Sequence, residues 1–216
     1  MSDLKYIAFL AIIWLFFKVG PSMMVRRVVM MLLGKSGLED VGRKALAEQP
    51  DTITLHRVQG PVKAEALTSV SSLERRGYER AGSYDVREMK GIKLHLLVKP
   101  AESAVAVVYE HPKAGVWADL STRYTDGTSF TITSARAGHG LDKQPGHVSV
   151  PAANQPAAML ALRLLKERPA GAMRQITASE FPGVFQQAYA DSMAWRKNKG
   201  ISAEEVKRTG VERISA

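Results

Sequence analysis

Ile92-Lys93-Leu94-His95-Leu96-Leu97-Val98 places Ile92, Leu94, Leu96 and Val98 on one side of an extended chain, a period of two that reads as a strand. Pro100 ends it. Ser103 to Glu110 follows almost at once, with Val105, Val107 and Tyr109 on one side and Ala104, Ala106 and Val108 on the other. A strand apolar on both sides belongs in the middle of a sheet, covered on both faces. Links this short join neighbouring antiparallel strands, so a parallel nucleotide-binding sheet is not expected.

Downstream, Val116 to Tyr124 and Thr128 to Ser134 flank Asp126-Gly127, a hairpin signal. Parity selects the turn. A two-residue loop pairs Leu120 with Thr133 and sends the apolar residues of the two strands to opposite faces. A three-residue loop, Thr125-Asp126-Gly127 with Gly127 at positive φ, pairs Leu120 with Ile132 and Thr122 with Phe130, and the apolar faces agree.

Upstream, Ser36 is placed to cap a helix through Leu38, Val41, Ala45 and Leu46, with Glu39 as its capping-box partner and Pro50 closing it. Asp51 to Val58 reads as a strand. Ala66, Leu67, Val70 and Leu73 recur at helical spacing up to Gly77, a residue suited to a left-handed helix end. Tyr78 to Arg87 is a further strand, interrupted by Gly82. Beyond the hairpin, Ala135 to Gln155 reads as a long loop with one short strand at His147 to Val150. A helix from Pro156 carries Met159, Leu162 and Leu165 on one stripe, with Leu160 and Leu164 beside it. Thr177-Ala178-Ser179-Glu180 opens another helix that buries Phe181, Val184, Phe185, Ala188 and Tyr189 and runs to Lys199. Ser202 to Glu205 begins a short last one. The sum is α+β: a single antiparallel meander sheet with helices packed on one face.

Ahead of this domain, residues 35–216, stands an apolar N-terminus, residues 1–34. Tyr6-Ile7-Ala8-Phe9-Leu10-Ala11-Ile12-Ile13-Trp14-Leu15-Phe16-Phe17 forms the heart of a span of residues 4–24, long enough for a bilayer-crossing helix. Trp14 and Tyr6 suit the interfaces, and Lys18 reaches headgroups from near one of them. Gly20-Pro21 breaks the helix. Met23, Met24, Arg26 and Arg27 then begin a shorter run expected to lie along the surface as an amphipathic helix, its guanidiniums among anionic headgroups. Phe16-Phe17-Lys18 is no signal-peptidase site. Lys18, Arg26, Arg27, Lys35, Arg43 and Lys44 follow the span, while only Lys5 precedes it, balanced by Asp3. That bias predicts a single-pass protein with its C-terminal domain in the cytoplasm.

The formal net charge is +9, which favours anionic neighbours. The absence of cysteine excludes disulfides, thiolate metal sites and cysteine nucleophiles. Gly34-Lys35-Ser36-Gly37 lacks the earlier glycine of a phosphate loop, since residue 29 is Val, and no G-x-S-x-G occurs. His139, Asp142 and His147 are the candidate metal ligands of a membrane-bound hydrolase, but their spacing matches no metal signature. Glu110-His111-Pro112-Lys113 reads as an exposed turn, and His56 and His95 as surface residues. Trp117, Asp119, Arg123 and Tyr124 are candidates to line one side of the sheet. Arg196-Lys197-Asn198-Lys199 complements a helix C-terminus without a ligand, so nucleic acid is not an expected partner. No catalytic or cofactor-binding set emerges. The expected function is a membrane-tethered, non-enzymatic interaction domain, an accessory or assembly subunit with a membrane-associated protein partner. A module holding a lipid or other hydrophobic molecule between the sheet and the long helix is the alternative.

The full-length protein is therefore expected to sediment with membranes, resist a carbonate wash and retain its first residues, as checked by fractionation and intact-mass measurement. Recovery of the full-length chain in the soluble fraction without detergent would refute the anchor.

Overall fold

The computed structural model describes residues 34–136 and 140–215. The predicted span, its interfacial sequel and their membrane-contacting residues Trp14, Phe16, Phe17, Lys18, Met23, Met24, Arg26 and Arg27 lie outside them, as does His139. Among the described residues, no helix is long and apolar enough to cross a membrane.

The described chain is α+β. Helix α1 (Gly34–Ala47) leads to β1 (Leu55–Val58), α2 (Ala64–Glu74), β2 (Glu79–Val86), β3 (Lys93–Lys99), β4 (Ala104–His111), β5 (Gly115–Arg123), β6 (Ser129–Thr133) and β7 (His147–Pro151). Helices α3 (Ala157–Glu167), α4 (Phe181–Lys199) and α5 (Ala203–Ser215) complete it. The seven strands lie side by side in chain order. Strands β1 to β6 form the expected antiparallel meander, but β7 runs parallel to β6. The sheet is therefore mixed. A parallel neighbour obliges the chain to travel back along the sheet before re-entering it, and the long link after β6 makes that journey.

Register follows parity. Leu120 pairs with Ile132 and Thr122 with Phe130 across the β5–β6 hairpin, and Gly127 has φ +88°, a conformation in which a Cβ is strained. Gly77, at φ +82°, ends α2, with the Tyr78 amide donating back to the Leu73 carbonyl at 3.1 Å. Gly82 sits where the β2–β3 register shifts. Ser36 lies inside α1 rather than ahead of it, so the predicted cap does not form there.

The largest correction concerns layers, because helices cover both faces. One face carries Leu97, Ala104, Ala106, Val108, Ala118, Leu120, Phe130 and Ile132 against Val70 and Leu73 of α2 and Leu160 and Leu164 of α3. The other carries Tyr84, Val86, Leu94, Leu96, Val98, Val105 and Val107 against Ile176 and Phe181, with Val184, Phe185 and Tyr189 of α4 beside them. Helix α1 packs on α5, and Gly42 permits the approach: a Cβ there would meet Ile201 side-chain atoms at 3.1 Å.

Helix α3 is also rotated from its simplest reading. Ala157, Leu160, Ala161 and Leu164 are buried, while Met159, Leu162 and Leu165 stand outside at 47%, 46% and 36% exposure. Small alanines let the helix sit close to the sheet, and the longer stripe is left at the surface. Leu160→Ala is expected to cost about 2–5 kcal/mol through lost transfer energy and a cavity. Leu162→Ala should change stability by less than about 0.5 kcal/mol. Urea unfolding of both variants checks the assignment, and equal losses would refute it.

Candidate functional site

Three constellations assemble from the strand and helix ends, and each brings together residues far apart in the chain. The first is buried. On the α2 face, Ser83 of β2, His95 of β3 and Glu110 of β4 lie on adjacent strands and are almost fully enclosed. The Glu110 carboxylate accepts from His95 Nε2 at 2.9 Å, so Nε2 carries the proton and Nδ1 is the acceptor. Ser83 Oγ then donates to Nδ1 at 2.8 Å. Burial pulls the His95 pKa below its usual 6.5 against the opposing bond and charge of Glu110, which keeps the ring neutral.

The order serine, imidazole, carboxylate has the form of a nucleophile relay. Its surroundings argue for structure. Glu110 also accepts from the amides of Val62 at 2.9 Å and Lys63 at 3.2 Å, directly ahead of α2, where a negative charge meets the positive end of the helix dipole. The carboxylate thus fastens α2 to the sheet. His56, Pro112 and Lys113 keep their predicted exposed positions, but His95 and Glu110, expected at the surface, are internal. Their burial was invisible in the sequence because strand alternation puts them on the α2 face, whose cover could not be assigned.

The second constellation is an ionic clamp around Glu205, fully buried at the start of α5. Its carboxylate accepts from Arg196 Nη1 at 2.7 Å, Lys199 Nζ at 2.8 Å and the amides of Asp142 and Ser202 at 2.8 and 3.0 Å. The Glu205 amide donates to Ser202 Oγ at 3.2 Å, completing a capping box. Burial pushes the carboxyl pKa up, and these bonds outweigh it, bringing it down to about 2. Asp142 carries ion pairs of its own with Lys199 at 2.9 Å and Arg208 at 2.5 Å. Lys197 pairs with Asp51 at 2.5 Å. The basic end of α4 is therefore engaged internally, each of its three cations by an acid.

Of the proposed metal ligands, Asp142 is held by these cations and His147 Nδ1 bonds Ser129 Oγ at 2.8 Å. No group of three His, Cys, Asp or Glu residues suited to a metal occurs among the described residues.

The third constellation is open. On the α4 face the apolar ladder stops at β4. Val105 is followed across the sheet by Ser121 and Thr131, and Val107 by Asp119 and Thr133. Arg123 pairs with Ser129, which in turn neighbours His147. Tyr109 and Trp117 stack with centroids 4.6 Å apart, and the buried Tyr109 hydroxyl bonds Asp119, its pKa raised by burial first and by that carboxylate second. Of the four residues expected to share a sheet side, Trp117, Asp119 and Arg123 do. Tyr124 turns to the opposite face and donates to the Pro169 carbonyl at 2.7 Å.

From this polar half-sheet Arg123 and His147 floor a cleft of about 720 Å³ walled by α1, the C-terminal half of α4, the start of α5 and residues 141–144. The site expected between sheet and long helix is filled by solid core; the cavity lies beyond the end of that core. Such a volume falls within the roughly 300–1,000 Å³ typical of small-molecule sites.

No protein-family model, no curated protein and no solved structure matches the chain.

His95→Gln retains a donor for Glu110 and an acceptor for Ser83, and is expected to fold with a loss of about 1–3 kcal/mol. A depressed folded pKa means the native state binds fewer protons than the unfolded chain. The His95 contribution is thus present above pH 6.5 and lost as pH falls from there toward the folded pKa. Thermal melts across that window should show wild-type stability falling as acid is added, and a shallower fall in His95→Gln. The remaining slope comes partly from His147, whose pKa is lowered by burial and then by Arg123. Identical slopes would refute the assignment.

Proposed function

We propose that this chain is a membrane-tethered, non-enzymatic interaction domain, an accessory or assembly subunit that docks a membrane-associated protein. The supporting observation is the outward stripe of α3. Met159, Leu162 and Leu165 stand at the surface while the opposite flank of the same helix packs on the sheet. On α2, covering the same sheet face, Leu67 is 50% exposed, and Val62 just ahead of it 73%. Water-exposed apolar side chains repeated at helical spacing are a common feature of partner-binding surfaces. The serine, histidine and carboxylate that come together are enclosed and engaged in fastening α2, which weighs against a hydrolytic role.

In this reading the apolar segment of residues 4–24 holds the domain at a bilayer with anionic headgroups, on the cytoplasmic side. A second reading, a module for a lipid or other hydrophobic ligand, is favoured by the cleft beside α1, because α1 is the first described element after that segment.

Full-length protein isolated in mild detergent is expected to carry a stoichiometric partner that crosslinks to α3. Leu162→Asp together with Leu165→Asp should remove it with little effect on thermal stability, since neither side chain is in the core. Isolation of the wild-type protein alone, or retention of the partner by the double variant, would overturn the docking assignment.

A further inference from the structure

The floor of the cleft holds a cation, Arg123, that no ion pair among the described residues engages. Arg123 ends β5 on the half-buried polar side of the sheet, and among the described residues its guanidinium makes no ion pair or hydrogen bond. A guanidinium keeps its charge in protein surroundings, and withdrawing one from water without an anion is costly.

Its electrical neighbours are few. Arg174 repels it and Asp191 attracts it, without an ion pair between Arg123 and Asp191. The Asp191 carboxylate is engaged by Gln187 Nε2 at 2.8 Å. His147, in line with Arg123 across the sheet, is biased toward its neutral form by burial and by Arg123 itself. Asp142 is held by Lys199 and Arg208, and Arg196 is paired with Glu205. Lys143, also on the wall, has a partner. The cations named here, Arg123, Arg174, Arg196, Lys199 and Arg208, outnumber the acids Asp142, Asp191 and Glu205, so the surroundings of the cleft stay net positive.

Above the floor the walls change character. Val41, Ala45 and Leu46 of α1 face Ile201, Val206 and, from α4, Met193. They form an apolar passage that begins at a single cation. Val41, an aliphatic residue, is 47% exposed.

We propose that this cleft binds a single-chain amphiphile with a carboxylate head, a fatty-acid-type molecule, its head paired with the Arg123 guanidinium and its chain lying between α1 and the C-terminal half of α4. A planar carboxylate matches the guanidinium fork in two parallel bonds. Burial of the chain against six aliphatic or thioether side chains supplies the apolar part of the affinity. The inference rests on the ligand-binding reading above and adds the head-group chemistry. Access fits the proposed tether, because α1, which lines the cleft, is the first described element after the apolar segment.

The test uses the full-length chain in phosphatidylcholine nanodiscs. A diazirine-bearing twelve-carbon fatty acid and the matching twelve-carbon alcohol are photo-crosslinked separately, and labelled peptides are mapped by mass spectrometry. The acid is expected to label the α1 and Met193–Trp195 peptides saturably, about tenfold more efficiently than the alcohol, the difference made by one charge-assisted pair. Arg123→Gln should bring the acid down to the level of the alcohol. Arg123→Lys, with the charge but not the fork, should fall between. Ala45→Trp should block both probes, and unchanged circular dichroism melting curves would show that these variants fold.

Equal labelling of the cleft by acid and alcohol, or no effect of Arg123→Gln, would overturn the head-group assignment while leaving a hydrophobic-ligand cleft standing. A dodecyl phosphate probe captured as well as the acid would overturn the choice of carboxylate. Absence of saturable label from the cleft, or label unaffected by Ala45→Trp, would remove the ligand-binding reading itself.

Discussion

A strand whose side chains are apolar on both sides can present neither side to water, and β4 is such a strand. Ala104, Ala106 and Val108 on one side and Val105 and Val107 on the other are all buried. Covering both sides needs helices above and below, and the chain supplies α2 and α3 for one face and α4 for the other. The three-layer arrangement follows from this demand. The long Ala135 to Gln155 segment and the strand β7 within it connect the two ends of the requirement: they carry the chain back along the sheet edge to the start of α3, so that α3 can lie on the same face as α2.

On the α4 face the need for cover stops abruptly. Across β4 to β5 the residues change from Val105 and Val107 to Ser121 and Asp119, and a sheet surface of hydroxyls, carboxylate and guanidinium does not draw a helix down onto itself. Helix α4 continues past the end of the core, and the space beneath its second half is roofed by α1 and α5 instead. The cleft exists because of that mismatch between a helix of 19 residues and an apolar face only about three strands wide. Its wall is held by electrostatics as well as by the packing of α1 on α5. Glu205, buried and ionised, gathers Arg196, Lys199 and the Asp142 amide, tying α4, α5 and the loop between β6 and β7. Breaking such a buried group from one side leaves an uncompensated charge.

The Ser83, His95 and Glu110 chain shows how similar groups serve a different end when enclosed. Its imidazole is oriented by two hydrogen bonds and its carboxylate by backbone amides ahead of α2. With every lone pair that matters already engaged, the network fixes where α2 begins and how it meets the sheet. That is specificity of packing through polar satisfaction.

Much of the fold is legible from period and parity alone. The meander order, the three-residue turn at Thr125-Asp126-Gly127, the end of α2 at Gly77 and the capping position at Ser202 are local properties, set by backbone sterics and by which residues can share a face. The two-sided burial of β4 is legible as well, and it already contradicts a sheet with helices on a single face. Which face each helix would cover, the parallel placement of β7, the inward flank of α3 and the burial of His95 and Glu110 belong to the tertiary structure. Each depends on contacts between segments tens of residues apart, and a side chain's alternation names its side of a strand without naming what lies there. Arg123 is the clearest case: its sequence neighbourhood is an ordinary hairpin arm, and only the convergence of α1, α4, α5 and β7 around it makes a lone cation at the floor of a cleft.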